Sequence, residues 1–117
     1  MTPSRPAPVI VIDTARIIDW PTFHAVFAEA CGFPSFYGAN RDAWIDCMTS
    51  LDDVDAGMTT VPCERGQMVT LQLGDIAGFA ARCPRQFRAL LEDSAFVNWR
   101  RLERGEGAVL ALAFVGR

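Results

Sequence analysis

Residues 33–53 read FPSFYGANRDAWIDCMTSLDD, and the whole chain is best read outward from them. The stretch opens with Phe33, Phe36 and Tyr37, turns through Gly38-Ala39-Asn40, and takes a helical pattern from Arg41 to Leu51. Trp44, Cys47, Met48 and Leu51 recur at the i, i+3, i+4, i+7 spacing of one apolar helix face. Asp42, Asp46, Thr49 and Asp53 gather on the opposite side, with Ile45 on the flank of that acidic side as an exposed apolar residue. Two aspartates one turn apart repel slightly unless something meets them. The helix is therefore expected to present Asp42 and Asp46 to a partner.

Upstream, Val9 to Asp13 (VIVID) is a short β-branched run that fits a strand buried on both faces. Asp19 is a good helix cap with Pro21 in the first turn, and Trp20, Phe23, Phe27 and Ala30 follow at helical spacing until Cys31-Gly32-Phe33-Pro34 stops them. Downstream, Asp52 to Gly66 is a loop broken by Gly57, Pro62 and Gly66. Met68 to Leu73 (MVTLQL) reads as a second strand. Asp75 opens a short helix ending near Cys83-Pro84, and Pro84 starts another with Phe87, Leu90 and Leu91 on its apolar face. That face slips near Ser94, where Ala95, Trp99 and Leu102 take over, so a kink or a second short helix is expected. Ala108 to Val115 (AVLALAFV) is the last strand. Three apolar strands separated by helices imply an α/β fold, a small three-stranded parallel sheet packed with helices. The domain spans 9–117, and residues 1–8 (MTPSRPAP) read as a flexible Pro-rich tail.

Composition narrows the function. Of 117 residues half are apolar, the net charge is −3, and all 11 basic residues are arginine. A mildly acidic domain lacks the basic stripe of a nucleic-acid binder. No apolar run is long enough to span a membrane, so a cytoplasmic protein is expected. Cys31, Cys47, Cys63 and Cys83 form no C-x-x-C pair and read as reduced, partly buried thiols. Asp53, Asp55 and Glu64 fall at positions 1, 3 and 12 of a calcium-loop count, but Met58 stands where the glycine belongs and Pro62 interrupts. His24 is the single histidine and flanks an apolar face, where it is structural. The aspartate pair lies on a convex face with no cleft to raise either pKa. No catalytic residue, metal or cofactor is expected. Charge is lopsided: Asp42, Asp46, Asp52, Asp53, Asp55 and Glu64 form an acidic window without a basic residue, whereas 82–104 holds six arginines. An acidic patch steers a basic partner.

The same stretch resembles the barstar family, intracellular inhibitors of the secreted ribonuclease barnase. In that family a Pro-x-aromatic-Tyr-Gly-x-Asn-x-Asp-Ala segment leads into an Asp-Cys-x-Thr helix. Pro34, Phe36, Tyr37, Gly38, Asn40, Asp42, Ala43, Asp46, Cys47 and Thr49 match it in register without a gap. The resemblance implies a cytoplasmic inhibitor, of antitoxin or immunity type, that plugs the active site of a basic ribonuclease with the acidic helix 41–51 and the loop before it; the oligomeric state is left open, with a monomer favoured. Carried over, Asp46 is the central plug and Asp42 its neighbour. Phe36, Tyr37, Gly38, Asn40, Arg41, Ile45, Thr49 and Ser50 complete the contact surface. The alternative is an interaction module of the same fold with a basic partner that is not a nuclease. Some positions depart from the family. Phe36 replaces a tyrosine, Ile45 and Leu51 replace tryptophans, and the loop 52–66 is longer. Trp99-Arg100-Arg101-Leu102 stands where the family has a partner-contacting glutamate, so both arginines are expected to face the partner.

Overall fold

The computed structural model describes residues 5–116; residues 1–4 of the expected tail and residue 117 lie outside them. The order is β1 (Val9–Ile12), α1 (Trp20–Cys31), α2 (Arg41–Thr49), β2 (Val69–Leu73), α3 (Ile76–Arg82), α4 (Pro84–Glu103) and β3 (Leu110–Phe114), with single 3-10 turns at Thr14–Arg16 and Val54–Ala56. Just before β1 the chain already follows β2: the Arg5 carbonyl accepts from Gln67 Nε2 at 2.7 Å and the Pro8 carbonyl from the Thr70 amide at 3.0 Å.

Side-chain caps start α1 and α2, whereas Asp75, expected to cap α3, makes no side-chain cap. Asp19 accepts from the Thr22 amide at 2.9 Å while Thr22 Oγ1 accepts from the Asp19 amide at 3.0 Å, a reciprocal cap with Pro21 in the first turn. α1 buries Phe23, Val26, Phe27 and Cys31. It stops at Gly32, which is left-handed (φ 64°) and packed so closely on Thr60 that no Cβ would fit. Phe27 meets Trp44 of α2 edge to face, ring centroids 5.6 Å apart, and this contact joins the two apolar faces. The four cysteines are free thiols, all buried.

The three strands are parallel in the order β1-β2-β3, with Ile10, Leu71 and Leu112 in one row. Burial on both faces was expected, and the sheet departs from that. Val69, Leu71 and Leu73 are fully buried, but Val9 and Val11 are 58% and 65% exposed. The strand order supplies the reason. Both crossovers step in the same direction across the sheet, and right-handed connections then place their helices on the same face. The opposite face is left largely open, and Thr70 and Gln72 occupy its centre, half-buried.

α4 is a second departure: it runs unbroken for 20 residues. Its buried stripe is Gln86, Ala89, Leu90, Asp93, Ser94, Val97 and Arg101. That is a continuous helical repeat, but four of its seven residues are polar, so apolar residues alone give the impression of a slip. Ala95, Trp99 and Leu102, expected to form a second packed face, are exposed instead, and so is Leu91 of the first. No helix among the described residues is long and apolar enough to cross a membrane.

Candidate partner-binding face

α2 begins at Asn40, whose side-chain oxygen accepts from the Ala43 amide at 2.8 Å. Just before it the left-handed residue is Ala39 (φ 51°) and not Gly38. A Cβ there costs roughly 1–2 kcal/mol, so the turn is held by its surroundings. Tyr37 supplies part of the hold. Its ring packs on Phe33 at 4.6 Å and on His24 at 5.6 Å, and its hydroxyl hydrogen-bonds His24 Nδ1 at 2.5 Å. Burial pushes the Tyr37 phenol well above its ordinary pKa and the His24 imidazole below, so both are neutral at pH 7.

Both ends of α2 are fastened to α4. In the first turn, Arg41 Nε and Nη2 donate to the two oxygens of Asp93 at 2.9 and 2.8 Å. At the other end, Arg101 Nη1 donates to the Thr49 carbonyl at 2.8 Å, one of the acceptors a helix C-terminus leaves open. The same guanidinium grips Asp52 at 3.1 and 2.9 Å and the Gly107 carbonyl at 2.7 Å. Asp52 also accepts from the Gly66 amide at 2.9 Å, which ties down the loop 52–66.

The ten residues expected at the contact surface divide into two sets. Phe36 is 73% exposed, and Gly38, Asn40, Asp42 and Asp46 are exposed beside it. Ser50 is half-buried at the helix end. The others are turned to positioning. Tyr37 is half-buried as described, and Arg41 is committed to Asp93. Thr49 is buried and donates to the Ile45 carbonyl at 2.6 Å. Ile45, read as an exposed flank residue, is only 8% exposed. It lines a groove between α2 and α4 with Arg41, Asp42, Glu92, Asp93 and Phe96, where α4 covers the flank that a single-helix projection leaves open.

Arg100 and Arg101 of α4 are the main revision. Both were expected to face a partner. Arg101 is buried and bound internally; only Arg100 reaches the face, where Nη1 donates to Asp46 Oδ1 at 2.9 Å and to Thr49 Oγ1 at 3.4 Å. Its guanidinium carbon lies 5.8 Å from the Phe96 ring centre, and Phe96 packs on Trp99 at 5.7 Å. Asp42 makes no hydrogen bond or ion pair among the described residues. Asp52 leaves the acidic window altogether. The window looked purely acidic because sequence neighbours were counted; α4 runs beside α2 and brings cations into it.

The assembled features define a class: a small parallel α/β domain that displays a rigid, mostly acidic helix and an aromatic loop on one side. Among the described residues no group of three or more His, Cys, Asp or Glu could hold a metal ion. Residues 7–109 match the family model described as Barstar (barnase inhibitor), and the chain belongs to that family. No curated protein matches the chain.

Proposed function

We propose that this protein is an intracellular inhibitor that covers the active site of a basic ribonuclease with α2 and the loop before it. The observation that carries the reading is the rigid display of Asp42 and Asp46 on a helix pinned at both ends. Anionic groups held in place before binding lose little freedom on association, and such surfaces can occupy sites built for phosphates. Phe36, Gly38 and Asn40 extend the contact along the loop, and Ser50 closes it at the helix end. Tyr37, Arg41, Ile45 and Thr49 hold this surface in shape. The family is one of ribonuclease inhibitors, which supports the class of partner. Such an inhibitor acts in the cytoplasm of the cell that makes the nuclease.

Titration of the protein into barnase and a panel of other basic ribonucleases is the test. The reading expects stoichiometric loss of activity for at least one nuclease. Asp46→Ala should weaken that complex by about 2–5 kcal/mol, as truncating one side of a buried interfacial charge pair does. Asp42→Ala should cost less. An Asp46→Ala protein that inhibits as well as wild type would remove the helix from the mechanism.

A further inference from the structure

Arg100 belongs to α4, yet its charge is delivered to α2. Both of its hydrogen bonds leave from Nη1, although a guanidinium has five N–H donors in a fork. The remaining donors have no partner among the described residues, and the side chain is 30% exposed. Asp46, at the other end, is 57% exposed. An exposed pair of this kind contributes little to stability and opens easily. When it opens, the Phe96 ring beneath the guanidinium gives it a second seat. The face is therefore a mixed one: Asp42 makes no hydrogen bond or ion pair among the described residues, Asp46 comes with a cation attached, and that cation remains whatever displaces it.

This sets a condition on the partner. A surface carrying only cations can take Asp46 from Arg100, but it must then dehydrate its own positive charge beside a second one. Like charges brought together at an interface are strongly rejected. A surface that places a carboxylate next to its cation meets both: the cation goes to Asp46 and the carboxylate to the open donors of Arg100. We infer that Arg100 determines specificity, so that the face fits a basic protein which sets an anionic side chain beside the cation that meets Asp46, and turns uniformly cationic surfaces away. The inference deepens the inhibitor reading and rests on it.

Barnase is the probe. Its inhibition and dissociation constant are measured with wild type, Arg100→Gln and Arg100→Glu, each with Asp46 intact and as Asp46→Asn. Thermal melts confirm that all six proteins fold. Arg100→Gln is expected to tighten binding about tenfold or more, and Arg100→Glu further, because a like charge is removed and then reversed. Asp46→Asn should erase most of the gain. If wild type inhibits barnase or another nuclease and the Arg100 variants gain nothing toward barnase, the inference falls and the inhibitor reading stands. If wild type inhibits no nuclease but Arg100→Glu blocks barnase, Arg100 is the gate and the wild-type assignment falls. If neither arginine variant binds barnase at all, Arg100 is not what excludes it and the inference is overturned.

Discussion

Arg100 and Arg101 are neighbours in sequence, carry the same charge, and belong to the same turn of α4, yet they do opposite things. A helix rotates successive residues by about 100°, so one guanidinium enters the seam between α4 and the end of α2 while the other crosses its rim. Arg101 and Asp52 are 4% and 1% exposed, and every guanidinium nitrogen of Arg101 is bonded. Arg100 and Asp46 are 30% and 57% exposed, and one nitrogen does all the bonding. Two charges withdrawn from water together are stable only as a pair; two charges left in water can part at small cost. The first pair therefore fixes the face, and the second is available for exchange on it.

The widest gap between the two should come from Arg101→Leu. It leaves the Asp52 carboxylate buried without its cation and frees the end of α2. Urea unfolding should show a loss of about 3–5 kcal/mol. A loss below about 1 kcal/mol would make the two arginines equivalent and end the comparison.

Acid should narrow that gap. Burial by itself would raise the Asp52 pKa, but the Gly66 amide and the Arg101 guanidinium outweigh it and hold the carboxyl below its ordinary range. A depressed carboxylate stabilises the fold fully above its unfolded pKa of about 3.9, and the contribution disappears as pH falls through the folded value. In Arg101→Leu the cation is gone and protonation relieves the buried charge. The stability difference between wild type and variant should shrink below about pH 4. A constant difference from pH 7 to pH 3 would contradict the buried pair.

Arg41 is ranked by its partner: its own side chain is 46% exposed, but Asp93, at 10%, lies between Asp52 and Asp46 in exposure. Arg41→Gln should cost about 1–3 kcal/mol, the range for leaving a buried acceptor unsatisfied. Arg100→Gln should change stability by no more than about 1 kcal/mol, and 1 M salt should erase the change. The order Arg101, Arg41, Arg100 is the sharpened form of the comparison; any other order breaks it.

Much of this fold was legible in the sequence. Asp19 with Pro21, the stripes of α1 and α2, and the three apolar runs predict the helices, the strands and the parallel sheet. What escaped were properties set by a neighbour distant in sequence. Ile45 is outward on its own helix and buried only because α4 lies against it. Val9 and Val11 look like the interior of a two-sided sheet, and only the strand order leaves them open. The alternation Val69-Thr70-Leu71-Gln72-Leu73 in β2 already held the hint of one wet face. In α4, Gln86, Asp93, Ser94 and Arg101 continue a stripe that an apolar count cannot see. Of the site, the two exposed aspartates and Phe36 were readable from α2 and its loop. The counter-ion on Asp46 was not, because 54 positions separate it from Arg100.

The buried thiols make the molecule its own clock. Burial pushes Cys31 up to about 12 and Cys47 up to about 11, so almost no thiolate exists at neutral pH and a thiol reagent must wait for the chain to open. Cys47 sits on α2 beside Asp46; Cys83 caps α4 at the far junction with α3. Single-cysteine versions would thus time two openings separately, one under the face and one remote from it. A bound partner seated on α2 should slow the modification of Cys47 much more than that of Cys83, and equal slowing would indicate that the whole fold opens as one unit.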